Sequence, residues 1–136
     1  MKVPLALSIH GIDDPDIDKE AIRLLINEKV KKLESVCSYI ISCHVAVEQP
    51  QKHQKSGIPY RVRIDVRIPP NHEIVIKRDP HKGGLHEPLS KIIRETFDVM
   101  RRRLKEQVNR QHHKVKLHEK KQISLLESRE ELDEDI

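Results

Sequence analysis

Two places in this chain set an imidazole beside a carboxylate, His72-Glu73 and His86-Glu87, the residue types that general acid–base catalysis uses. Sequence neighbours rarely act as such a pair, and Glu87 stands just ahead of a helix start, where the helix dipole already favours an acid. Serine is scarce, no Gly-x-Ser-x-Gly or phosphate-loop glycine pattern occurs, and Gly83-Gly84 alone specifies neither. Cys37 and Cys43, the only cysteines, form no Cys-x-x-Cys motif, and a single pair is no disulfide framework. Cys43 and His44 would point to opposite faces of a strand, and no His-x-x-x-His spacing organises the nine histidines around a metal. The expectation is a protein that is not an enzyme and takes no metal, cofactor or small-molecule substrate.

The chemistry that remains is charge. Residues 89–116 read LSKIIRETFDVMRRRLKEQVNRQHHKVK. At about 100° per residue, Leu89, Ile93, Phe97, Met100, Leu104, Val108 and Val115 fall on one side, the stripe a helix docks on a core. Roughly opposite lie Lys91, Arg94, Arg101, Arg102, Lys105, His112 and Lys116, with Asp98 the only acid near the centre of that stripe. An ordinary solvated face interleaves both signs and cancels its own field. This face does not, and so points to a polyanion.

The net charge of +4 hides a split: residues 1–116 carry +8 and residues 117–136 carry −4. A chain of 136 residues fits one domain, here 1–116, and with 36% apolar against 35% charged residues some of the length must be solvated; 117–136 reads as a flexible acidic tail. No run approaches the ~18 apolar residues of a membrane span, and the N-terminus meets an acidic turn before any signal-like segment. The expected protein is cytoplasmic and makes no membrane contact.

The elements that must position the basic stripe follow from periodicity. Val3, Leu5, Leu7 and Ile9 alternate with small residues as a strand ending at His10-Gly11. A helix is predicted from about residue 16 to 35, acidic at its start and lysine-rich at its end, with Ile22, Leu25, Ile26, Val30 and Leu33 as its packing face. Strands follow over 39–48, 60–68 and 72–78, with a polar loop or hairpin tip over 49–57, a turn at Pro69-Pro70-Asn71, and a loop over 79–86. The order β-α-β-β-β-α defines an α+β two-layer sandwich, a four-stranded sheet with both helices on one face. Lys29, Lys31 and Lys32, ending the first helix, would then extend the positive band of the second, although the helix dipole alone also favours lysines there.

Aromatic residues number three, Tyr39, Tyr60 and Phe97, and the last two sit at core-facing positions. Readers of single strands stack bases on exposed rings. Binding here would instead run through phosphates, with affinity falling by a slope of about 0.7–0.9 per contact in log–log salt dependence. Arg61, Arg63 and Arg67 on the outer sheet face form a second candidate patch, with Glu48, Asp65 and Glu73 placed to neutralise them across strands.

The chain resembles the ribosome hibernation-promoting and ribosome-associated inhibitor family, also called ribosomal subunit interface or sigma-54 modulation proteins. The likeness covers about residues 3–116. It rests on the element order, on Lys31-Lys32-Leu33-Glu34 closing the first helix, on His86-Glu87 opening the last, and on the Leu/Arg-rich run Val99–Leu104 followed by a basic end. It departs from the family pattern in Pro88-Leu89-Ser90 after His-Glu and in Val99 where a lysine is usual. The resemblance implies binding to the small ribosomal subunit in the channel of messenger and transfer RNA, with translation blocked in stress or stationary phase. By matched position Lys32, Arg94, Arg101 and Arg102, with Lys82 and Lys91 nearby, would face ribosomal RNA. A protein of this short form would be a monomer off the ribosome. The alternatives are a double-stranded RNA module and a protein-binding regulator of transcription acting on a sigma factor.

Overall fold

The computed structural model describes residues 4–12, 14–50 and 57–134, with side chains for those up to 113. The expected loop tip with Lys52, His53 and Lys55, and Val3 of the first strand, lie outside the described residues. The order is β1 (Leu5–His10), α1 (Lys19–Val36), β2 (Ser42–Glu48), β3 (Arg61–Ile68), β4 (His72–Arg78) and α2 (Leu89–Glu134). Two compact units divide the chain, residues 1–104 and 105–136.

The first unit is built on a sheet of order β1-β2-β3-β4. β1 runs parallel to β2, the pairing that demands a crossover, which α1 supplies. The other pairs are antiparallel, β3 and β4 joined by the tight turn at Pro69-Pro70-Asn71. Register aligns every apolar row: Leu7 opposite Val45, Val45 opposite Ile64, Ile64 opposite Ile76. Cys43, Val45, Val47, Val62, Ile64, Val66 and Ile68 are buried, whereas their alternates His44, Arg63 and Arg67 are exposed. One sheet face alone is covered, and the buried stripes of both helices cover it. The fold is the α+β sandwich its periodicity predicts.

α1 begins three residues later than expected. Asp14 organises a turn around Pro15, its Oδ1 accepting from Asp16 N at 2.9 Å and its carbonyl from Ile17 N at 3.1 Å. Asp18 then caps the helix, accepting from Glu20 N at 3.0 Å and Ala21 N at 3.3 Å. Ile22, Ile26, Val30 and Leu33 are buried; Leu25, at the flank, is only half-buried. β2 starts at Ser42 rather than Tyr39 because the chain is still leaving α1 through the Cys37 cap, and its bonding to β3 opens with Ile41 N donating to Arg67 O at 2.8 Å.

α2 starts where predicted, at Leu89, and buries Leu89, Phe97, Met100 and Leu104 together with Ile92, Ile93 and Thr96. Its core arc is wider than the stripe read from spacing, which omits Ile92 and Thr96. Thr96 satisfies its hydroxyl by donating to Ile92 O at 2.6 Å. The helix runs to Glu134, past residue 116, so the segment read as a tail is helical in backbone. No glycine or proline occurs after Pro88, and Glu, Lys, Leu, Arg and Gln dominate there, so nothing in the chain stops the helix. No described helix is long and apolar enough to cross a membrane.

Candidate nucleic-acid interface

Arg101, Arg102 and Arg103 are exposed in consecutive positions of α2 while Met100 and Leu104 on either side are buried. The core thus fixes the turn that fans the three guanidinium groups into solvent. Arg94, Arg101 and Arg103 have no acidic partner among the described residues, and Arg102 donates from Nε only to the Asp98 backbone carbonyl, at 3.5 Å. Arg103 was not read from the sequence as a candidate, because about 100° per residue places it off the stripe. The run of three arginines was the available signal.

The rest of the stripe is not uniformly positive. Lys91 donates to Glu87 Oε1 at 2.8 Å and stands 3.9 Å from Glu95. Arg78, closing β4, reaches both acids, 3.0 Å from Glu95 and 3.7 Å from Glu87. The four side chains form a closed circuit of zero net charge at the start of α2. The hydrogen bond with Glu87 raises the Lys91 pKa above its ordinary value, and the same bond lowers that of Glu87. Lys91, a candidate contact by sequence, is therefore a compensated cation. Away from the centre of the stripe, where Asp98 is the only acid, Glu87 and Glu95 add carboxylates. Glu87 and Glu95 sit four residues either side of Lys91, a spacing visible in the sequence; Arg78, seventeen residues from Glu95, was not. Beside the circuit a groove of about 380 Å³ opens between Ile76 and Arg78 of β4 and Glu95, Asp98 and Arg102 of α2.

The lysines of α1 point apart. Lys29 lies seven residues after the buried Ile22, hence about 20° from it around the helix, and is half-buried. Lys31 is roughly opposite and exposed, and Lys32 lies on the flank, 4.0 Å from Glu28. The three lysines thus lie on different sides of α1. Lys82 is exposed on the 79–88 loop, with no ion pair among the described residues, where Gly83 and Gly84 take positive φ of 92° and 77°. Backbone bonds from Ile58 and Gly57 hold that loop: the Ile58–His81 pair exchanges two at 2.9 Å, and Gly57 N donates to Gly84 O at 3.2 Å. Lys105 opens the second unit and is exposed.

The outer sheet face is neutralised, by acids across the strands for Arg61 and Arg67 and, contrary to the cross-strand expectation for Asp65, by a neighbour on the same strand for Arg63. Arg61 donates to Glu48 at 2.6 Å and to Asp79 at 3.1 Å; Arg63 stands 3.7 Å from Asp65, and Arg67 3.9 Å from Glu73. Arg61 pins the Asp79 carboxyl below its ordinary pKa. Tyr60 and Phe97 are buried at 2% exposure each, and His86 packs edge-on against Tyr60 at 6.5 Å, so the exposed ring is Tyr39, at 42%. Stacking on aromatics is thus confined to one side chain, and the arrangement suits phosphates.

The domain is a two-layer α+β fold that presents a turn of arginines without acidic partners among the described residues, while its outer sheet face is charge-matched. A family model described as sigma 54 modulation protein / S30EA ribosomal protein matches residues 18–116, and the chain belongs to that family of ribosome-associated, non-enzymatic factors. No curated protein matches the chain.

Proposed function

We propose that the protein binds the small ribosomal subunit through phosphates of its ribosomal RNA, lodges in the messenger and transfer RNA channel, and so blocks translation under stress or in stationary phase. The observation that carries this reading is the Arg101–Arg103 turn, three exposed cations held outward by buried Met100 and Leu104 in a chain of this family. Arg94, Lys82, Lys31 and Lys32, and Lys105 of the second unit, supply further contacts, and Lys29 and Lys91 contribute little. The protein acts in the cytoplasm and is a monomer off the ribosome.

Co-sedimentation with purified small subunits at moderate salt tests the reading, and protein left at the top of the gradient would refute it. The doubly reversed Arg101→Glu, Arg102→Glu protein loses at least about tenfold in affinity while its melting temperature stays unchanged, since both side chains are exposed. One observation favours a second reading: the order β-α-β-β-β-α contains the αβββα core of double-stranded RNA modules. Equal affinity for a plain RNA duplex and for small subunits would support it.

A further inference from the structure

The exposed charges of α2 within the first unit are distributed unevenly, with the acids gathered in its first turns. Over Leu89–Asp98, Lys91 and Arg94 are matched by Glu95 and Asp98; over Val99–Leu104 there are three arginines and no acid. Glu87, one residue before Pro88, adds a further carboxylate, and Arg78 compensates it from β4. A polyanion tracking the helix axis would meet balanced charge for about 15 Å, ten residues at 1.5 Å, before reaching the arginine turn.

Resting on the reading just proposed, we infer that Glu87, Glu95 and Asp98 are specificity-determining residues: Glu87 and Glu95 hold Lys91 and Arg78 in ion pairs and Asp98 offsets the charge of Arg94, so the first turns of α2 present no net positive charge to phosphates. They thereby confine the protein to RNA that offers a compact phosphate cluster to Arg101–Arg103, and discriminate against extended regular duplex. The mechanism withholds attraction from the wrong partner rather than adding attraction toward the right one. Two features separate this role from plain stabilisation of the helix start. Asp98 is exposed and its carboxylate has no ion-pair or hydrogen-bond partner among the described residues, so it anchors nothing. Lys91 faces outward yet is held by acids at i−4 and i+4, which withdraws from the RNA a cation that the outward face otherwise presents.

The test uses the full chain, carrying Glu87→Gln with Glu95→Gln in one variant and Asp98→Asn alone in a second. Each is titrated against a plain 20-base-pair RNA duplex and against purified small subunits over a range of salt. The expected result is a rise of about tenfold in duplex affinity for the double variant and about threefold for Asp98→Asn, with a salt slope steeper by about one unit as newly accessible phosphate contacts form. Small-subunit affinity changes less than threefold. Unchanged duplex affinity in both variants, or an equal gain for subunits and duplex, would overturn the inference while leaving subunit binding intact. If the unaltered protein fails to bind subunits, the proposed function and the inference fall together. Should the double variant unfold because the Arg78–Glu95 bridge is lost, Asp98→Asn still decides, since that side chain holds no contact.

Discussion

At the scale of the residue, an ion's environment decides what it can do, and identical charges on one helix face are not equivalent. Lys91 shares its proton-bearing nitrogen with Glu87 and Glu95, so moving it to a phosphate means giving up two carboxylates. Arg101 gives up water alone. Neutralising each therefore has different consequences: Arg101→Gln lowers the salt dependence of small-subunit binding by about 0.7–0.9 in log–log slope, whereas Lys91→Gln leaves slope and affinity within experimental error. Fluorescence titration at four salt concentrations measures both. The thiols illustrate the opposite extreme. Burial pushes the Cys43 thiol up to about 12, with the Asp65 carboxylate adding to the shift, and Cys37 is buried beside the end of α1. Neither thiol reacts with an aromatic disulfide reagent at pH 8 in the native protein, and both react at once in denaturant. A thiol titrating in the folded protein would show that the sheet core opens locally.

At the scale of the element, helix ends and strand rows set the stability of the frame. Asp18 satisfies two of the free N–H groups opening α1, so Asp18→Ala costs about 1 kcal/mol and lowers the melting temperature by about 4 °C. Ile26 is wholly buried at the centre of the same helix, and Ile26→Ala costs about 2–5 kcal/mol through the cavity it leaves. At the junction of β4 and α2 the Glu87 carboxyl is held below its ordinary 4.5 by the Lys91 hydrogen bond. A depressed acid stabilises the fold above its unfolded pKa and loses that stabilisation as pH falls through the folded value. The melting temperature thus declines on acidification below about pH 4.5, less steeply in Glu87→Gln, a small difference because the pair is solvated. Thermal melts from pH 7 to pH 3 display it.

These elements differ in how far the sequence discloses them. β4 is legible to the residue and β3 to within one, beginning at Arg61 rather than Tyr60, because one covered face forces strict alternation: Val62, Ile64, Val66 and Ile68 inward, with Arg63 and Arg67 outward. The start of α1 was legible only to within a turn, since Asp14, Asp16 and Asp18 are all plausible caps and the bonds Asp14 makes around Pro15 decide among them. The second helix hid more. Ile92 and Thr96 look like flank residues until the sheet is known to fill a wide arc, and the circuit around Lys91 depends on Arg78, which arrives from another element. Arg101 and Arg102 could be read directly, because they need no partner to define them, whereas Arg103 falls off the stripe and is exposed only by the way Met100 and Leu104 seat the turn.

At the scale of the whole molecule, the chain carries two opposite charge domains, +8 over 1–116 and −4 over 117–136, and a partner must choose between them. An RNA partner is drawn to the first and repelled by the second; a protein partner of the kind implied by sigma modulation would instead engage the acidic end. Removing 117–136 separates the two. The truncated chain retains residues 1–104 complete, the unit that holds the sheet, α1 and every buried residue from Ile12 to Leu104, so it unfolds cooperatively at the same temperature. Its net charge rises, and its affinity for small subunits is unchanged or greater, by up to about threefold at low salt and converging with the full chain as salt screens the removed acids. Loss of subunit binding on truncation would move the interface out of the first unit and into the acidic segment, against the reading built on Arg101, Arg102 and Arg103.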